Sequence, residues 1–155
     1  MSKVMVIGAG PAGIMAAITA AENHNVVLVD GNEKIAKKLF ITGKGRCNIT
    51  NGKDIGDFFD YIPGNPHFLY SALYSFTNND VIEMIESEGT KLKIERGGRI
   101  FPESDKSSDI IKALSKKLSK AKVDIKLNSK VTDVFFENNT IKSVEINNSQ
   151  KISAD

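Results

Sequence analysis

The sequence predicts an α/β fold, in which a parallel sheet carries helices and is followed by an antiparallel β-meander. Three observations predict it. The first thirty residues read strand, glycine-rich turn, helix, strand. The middle of the chain alternates helical and strand periodicity, and the last 25 or so residues form short strands with no helix between them.

Lys3 to Ile7 is a continuous apolar run that suits a buried parallel strand. Gly8-Ala9-Gly10-Pro11-Ala12-Gly13 follows, then a helix over Ile14 to Asn23 and a second strand over Val26 to Asp30. In that order each glycine has its own task. Gly8 permits the tight turn out of the strand, Gly10 lets the backbone approach a pyrophosphate, and Gly13 lets the helix pack closely on the sheet. Ala9, Pro11 and Ala12 complete the turn, and the first amides of the helix face the phosphates. Asp30 stands 22 residues after Gly8, where a carboxylate accepts hydrogen bonds from the ribose hydroxyls of an adenosine. The alternative for Asp30 is a turn residue closing a strand. Together these elements make the βαβ dinucleotide fingerprint of a Rossmann-like domain. A signal peptide or membrane span over Val4 to Ala21 is the competing reading, and three glycines and a proline interrupt it.

Asn32 is placed to cap a short helix over Glu33 to Phe40 that ends at Thr42-Gly43. Residues 43 to 66 hold five glycines and two prolines with little apolar periodicity, so a long surface segment is expected there. Asn65-Pro66 opens a helical stretch through Tyr74. Thr77 or Asn78 caps a helix to Glu88 with Gly89 as its stop, and Val81, Ile82, Met84 and Ile85 supply its apolar side. Lys91 to Glu95, Gly97-Gly98 and Arg99 to Phe101 read as a β-hairpin stopped by Pro102. Ser107-Ser-Asp109 starts a helix with Ile110, Ile111, Leu114 and Leu118 on one face, and Asp124 to Leu127 is the next strand. The meander then runs Val131 to Glu137, Ile141 to Asn147 and Lys151 to Ala154, with turns at Asn138-Asn139 and Asn147-Asn148-Ser149. A domain that binds NAD alone continues β-α-β at this point, whereas FAD-dependent proteins commonly insert a three-stranded meander after the third parallel strand, so fold analogy moves the reading from NAD toward FAD.

Composition bounds the class. The chain has 155 residues, 41% of them hydrophobic and 26% charged, which is ordinary for a folded domain with a real core. A net charge of +2 gives no electrostatic case for nucleic acid or for an anionic membrane. One cysteine excludes an internal disulfide and fits a reducing compartment, so a cytoplasmic protein is expected. The many Lys, Asn and Ile residues suggest a bacterium with an AT-rich genome. His24 and His67, with one cysteine, offer no metal-ligand spacing, so no metal site is expected.

The segment Lys37-Lys38-Leu-Phe-Ile-Thr-Gly43-Lys-Gly45-Arg46-Cys47-Asn48-Ile-Thr50-Asn51 concentrates backbone amides, a guanidinium, amide side chains, a hydroxyl and a thiol in fifteen residues. Such a loop can hold an anion or a flavin. Gly43 and Gly45 let the backbone approach a ring or phosphate, and Arg46 offsets charge on a pyrophosphate or a reduced flavin. The chain resembles the bacterial flavoproteins described as NAD(P)/FAD-dependent oxidoreductases, whose members include proteins likened to aminoacetone oxidase and to bile-acid-pathway reductases. Three stretches carry the resemblance: the glycine fingerprint, Lys37 to Asn51, and Gly98-Arg-Ile-Phe-Pro-Glu-Ser-Asp-Lys106. Two departures stand out. Lys44 occupies a position usually held by glycine, and Asp30 one usually held by glutamate.

The resemblance implies that Lys37, Lys38, Gly43, Gly45, Arg46, Cys47, Asn48 and Thr50 lie near the flavin, and that the backbone of Val131 reads the adenine edge. Asn48 and Thr50 serve equally as turn formers bonded to their own backbone, and Val131 as a core valine. Cys47 has no second cysteine for a dithiol couple, which favours packing or a flavin contact over redox chemistry. Tyr61, Phe68, Tyr70 and Tyr74 are expected to pack their own segment. The resemblance also implies that residues 1–155 are the N-terminal part of an FAD domain of the two-dinucleotide-binding type, with 43–66 as a flavin-side loop, 131–154 as the meander, and further FAD segments and a substrate domain beyond. A sheet stopped after its meander is expected to expose apolar surface and open backbone groups. The expected function is an oxidoreductase that passes hydride between NAD(P)H, or an oxidisable small molecule, and a second acceptor through FAD, with the catalytic acid or base outside this chain. A plain NAD(P)-dependent dehydrogenase and a non-catalytic nucleotide-binding module are the alternatives.

Overall fold

The computed structural model describes residues 1–153. In chain order the elements are β1 (Lys3–Ile7), α1 (Pro11–Ala20), β2 (Asn25–Val29), β3 (Thr50–Asn51), α2 (Tyr70–Ser75), α3 (Asn78–Glu86), β4 (Leu92–Glu95), β5 (Arg99–Pro102), α4 (Ser107–Lys120), β6 (Asp124–Lys126), β7 (Val131–Glu137), β8 (Thr140–Ile146) and β9 (Gln150–Ser153), with 3₁₀ turns between several of them. They form two compact units: residues 1–39 together with those from 114 onward, and residues 40–113.

The first unit is the expected α/β layer. β1, β2 and β6 form a parallel sheet in that order, with Val4 beside Val26 and Leu28 beside Ile125. Val26 to Val29 are buried because a parallel strand in this position is covered on both faces. The meander β7-β8-β9 is antiparallel throughout. Asn138, Asn139, Asn147 and Asn148 all take left-handed φ values between 49° and 60°, the conformation a two-residue hairpin turn demands and asparagine tolerates. Val144, Ile146 and Ile152 of the meander pack with Val27 and Val29 into one apolar cluster, flanked by Met5, Val131 and Val134. Among the described residues β1 has a strand partner on one side only, and an apolar groove of about 260 Å³ runs beside it between Val4, Met5, Ile7 and the meander residues Val134, Ile141 and Ile152. Ala154, at the end of the expected third meander strand, lies outside the described residues.

The second unit holds a small antiparallel sheet in the order β3-β5-β4, with α2 and α3. Ile100 and Phe101 of β5 are 2% exposed and form its centre. Thr77 caps α3 reciprocally with Asp80, as its sequence allows, and Ile85 is buried on the inner face.

Several boundaries differ from expectation. α1 starts at Pro11 rather than Ile14, because proline at the first helical position needs no amide partner, and it ends at Ala20, since Asn25 N–H donates to Ser2 O and draws the chain into β2. β2 begins at Asn25 and ends before Asp30. The helix expected over Glu33 to Phe40 does not form: Ala36 takes φ 52° and its amide donates to Ala9 O, so the stretch folds as turns and then a 3₁₀ segment over Lys37–Gly45. Asn32 bonds to Asp30 instead of capping a helix. The segment 43–66 lies at the surface with local turns, as expected. It contains β3 and a 3₁₀ turn over Ile55–Tyr61 capped by Asp54, and Cys47 within it is buried.

Candidate functional site

The first unit carries the glycine turn. Gly8 leaves β1 with φ 101°, and its amide donates to Val29 O at 2.7 Å, which ties the turn to the end of β2. A Cβ on Gly13 runs into the carbonyl oxygen of Gly8, so only glycine lets α1 rise this close to the turn. Gly10 differs from both. It has φ −75° and ψ 174°, ordinary extended values, and a Cβ there meets nothing within 4 Å. Gly10 also caps α1 without any side-chain hydrogen bond. The first-turn amides of a helix have no acceptor within the helix, so open space, a bare cap and free amides coincide at Gly10. That is the geometry an anion takes at a helix start. Ala9 is buried, while Pro11 and Ala12 are exposed at the mouth of the turn.

Asp30 follows β2 and reaches back to this turn. Its Oδ2 accepts from the Ala9 amide at 2.7 Å, and its Oδ1 accepts from both the backbone and the side-chain amide of Asn32 at 2.7 Å each. Burial by itself raises the Asp30 pKa, but the Asn32 and Ala9 amides and the charge of Lys37 outweigh it and hold the carboxyl below its ordinary value. A carboxylate offers about four lone-pair sites. Three are taken, so one remains for a ligand hydroxyl. The chain that enters the meander lies alongside: Ser129 N–H donates to Asp30 O at 2.8 Å, and a Cβ on Gly31 would touch the Lys130 side chain. Val131 opens β7 directly after it and pairs with Ile146. Thus Gly8, Ala9, Gly10, Gly13, Asp30 and the approach to Val131 come together. Lys37 and Lys38 are exposed, with Lys37 paired to Glu33 at 3.4 Å.

The remaining expected site residues lie in the second unit. Gly43, Lys44, Gly45 and Cys47 take φ values of 55°, 58°, 84° and 63°, so four of five successive residues are left-handed. The loop is closed by Cys47 N–H donating to Thr42 O and by Ile49 N–H donating to Ile100 O, both at 3.0 Å. A side chain on Gly43 would crowd the Asn48 amide and the Phe101 ring, each 3.0 Å from a built Cβ, at a left-handed φ of 55°. Arg46 lies 4.2 Å from the centre of the Phe101 ring and spans Glu95 at 2.8 and 3.3 Å and Asp105 at 3.2 Å. Its charge is therefore already matched within this unit. Lys93 joins the same group through Asp105 at 2.7 Å. Cys47 is 1% exposed, and burial raises its thiol pKa against the lowering effect of a hydrogen bond with Thr42. Asn48 is exposed, and Thr50 pairs with Ile100 in the sheet.

Sequence reasoning missed three participants. Glu95 and Asp105 are 49 and 59 residues from Arg46, and no local pattern joins them. Asn78 was visible only as a possible helix cap, yet its side chain is buried and bonded to two distant carbonyls.

Residues 2–155 match the family of the HI0933-like protein Rossmann domain. The chain is 36% identical over 128 residues to a 3-dehydro-bile acid delta(4,6)-reductase of Clostridium scindens, covering 81% of this chain and 31% of that protein. It is 33% identical over 132 residues to a ribosomal RNA dihydrouridine synthase of Escherichia coli, covering 84% of this chain and 32% of the relative. The chain therefore spans about a third of the length of these relatives. Among solved structures, CtdE in complex with FAD and substrate 4 has a TM-score of 0.53 and 15% identity, with all of this chain and 36% of the other aligned, a likeness of fold.

Proposed function

The chain belongs to the HI0933-like Rossmann family, and from that premise we propose that it is the FAD-binding portion of a flavin-dependent oxidoreductase. One observation carries the reading: the Asp30 carboxylate, at the end of the second strand, is hydrogen-bonded to the Ala9 amide inside the glycine turn. That bond fixes an acceptor for an adenosine ribose beside a helix start that accepts a pyrophosphate. Gly8 and Gly13 shape the turn, and Gly10 with the first amides of α1 meets the phosphates. The meander entry at Val131 lies on the adenine side. FAD, when bound, supplies the electron chemistry by which hydride passes between NAD(P)H or an oxidisable small molecule and an acceptor.

Arg46 spends three of its five N–H donors on Glu95 and Asp105. The names of the two relatives, a delta(4,6)-reductase and a dihydrouridine synthase, both describe adding hydrogen to an unsaturated ring. We take reduction of a ring double bond as the reaction class of the whole protein, acting in the cytoplasm on a small molecule.

The test is an absorption spectrum of the whole protein, and of this chain after incubation with FAD and removal of free ligand. Bands at about 370 and about 450 nm, those of an oxidised flavin cofactor, are expected from the whole protein. A colourless whole protein that takes up NAD but not FAD refutes the reading.

A further inference from the structure

Most of the aromatic residues of the chain fall between residues 58 and 76. Phe59, Tyr70 and Tyr74 stack on one another, with ring centres 4.7 to 5.9 Å apart, and so pack their own segment. Phe58 and Tyr61 do something else. With Asn51, Lys53, Ile62 and Gly97 they line a cavity of about 460 Å³, entirely within the second unit. That volume lies in the range of small-molecule sites. Tyr61 is 71% exposed, so core packing does not account for its place.

The lining has one cation. Lys53 Nζ donates to the Tyr61 hydroxyl at 2.7 Å and lies 4.1 Å from the centre of that ring. An ammonium has three donors, and no carboxylate among the described residues forms an ion pair with this one. Asp57 and Asp60 act on it only at longer range, and the Tyr61 bond raises its pKa against the opposing effect of burial.

The polar wall is held from behind. The buried Asn78 side chain donates to Asn51 O at 2.7 Å and to Lys53 O at 2.9 Å. Asn51 donates to Gly97 O at 2.8 Å and accepts from the Lys53 amide at 3.0 Å, and Gly52 N–H donates to Gly98 O at 2.7 Å. A side chain on Gly98 would collide with the Asn51 amide. Residues 51 to 53 are thus fixed before any ligand arrives, and preorganisation of this kind is what binding requires.

We propose that this cavity binds a small, flat, apolar carboxylate, with its ring between Phe58, Tyr61 and Ile62 and its carboxylate on the Lys53 ammonium. A single cation matches a single negative charge. A phosphate dianion calls for more donors than the wall offers, and Asp57 and Asp60 nearby disfavour a polyanion such as RNA. The inference goes beyond the FAD reading and does not rest on it, because every residue it uses lies between Asn51 and Asn78 or in the Gly97-Gly98 turn.

Titration of the ¹⁵N-labelled chain with 2-naphthoate, without FAD in the sample, tests it by amide shifts. Shifts confined to the neighbourhood of Lys53, Tyr61 and Gly97 are expected, with tighter binding than neutral 2-naphthalenemethanol. Lys53→Met should weaken naphthoate binding at least about tenfold, the scale of a lost charge-assisted hydrogen bond. Lys53→Arg should restore it, and both variants should keep the wild-type spectrum elsewhere. Absence of shifts at these residues, equal affinity for acid and alcohol, or a Lys53→Met variant that binds as the wild type overturns the proposal. A whole protein that takes up no FAD, with naphthoate binding intact in this chain, refutes only the cofactor reading.

Discussion

The Ala9 amide donates to Asp30 Oδ2 across 21 residues of sequence. This bond joins the two halves of the dinucleotide fingerprint, the glycine turn and the acid at the end of the second strand. The acid position is therefore part of the turn's own structure. The short aspartate side chain spans the gap to this amide.

Asp30 gives the first prediction. Its pKa lies below the ordinary 3.8 in the folded chain, so its contribution to stability is fully present above that value and is lost as the pH falls through the lower folded value. Asp30→Asn should flatten the acid side of a thermal-melt series taken between about pH 2 and pH 5. The same variant should weaken FAD binding at least about tenfold through loss of a charged acceptor, and Asp30→Glu should retain it. Flavin-fluorescence titration reads the binding arm.

The parallel sheet and the meander were legible because apolar runs and Asn-Asn turns are local signals: Val26 to Val29 and Asn138-Asn139 announce themselves in a few residues. The failures share a cause in long-range partners. Glu33 to Phe40 has helical composition, but the Ala36 amide is claimed by Ala9 O, and a tertiary bond overrides propensity there. β3 is two residues long, too short for any periodicity, and exists only through pairing with Ile100 and Arg99. At the candidate site, the glycines and Asp30 were legible from spacing, whereas the Arg46 group depends on Glu95 and Asp105, which sequence does not bring near.

Cys47 should resist modification in the folded chain. It is 1% exposed and burial keeps it as the thiol rather than the reactive thiolate. A disulfide reagent such as Ellman's should label it slowly in native buffer and rapidly in denaturant. Fast native labelling contradicts the packing role.

Lys44 holds φ 58°, a left-handed value that glycine adopts without steric cost. A side chain in this region costs about 1–2 kcal/mol, so Lys44→Gly should stabilise the chain by about 1 kcal/mol. Urea denaturation measures this, with an unchanged slope showing that the folded state is the same.

The glycine turn offers the sharpest test, because its glycines serve different ends. Gly13→Ala pushes a methyl into Gly8 O and should destabilise the chain by more than about 3 kcal/mol. Gly10→Ala meets neither a forbidden φ nor a neighbouring atom and should cost no more than about 1 kcal/mol, the range of a helix-cap change. On the proposed reading this glycine serves the close approach of a pyrophosphate, so the measurement that decides the account is FAD affinity of the whole protein and its Gly10→Ala variant beside their urea stabilities. Near-equal stability with FAD affinity reduced at least about tenfold in the variant is the predicted result. A Gly10→Ala protein that binds FAD as tightly as the wild type contradicts the account.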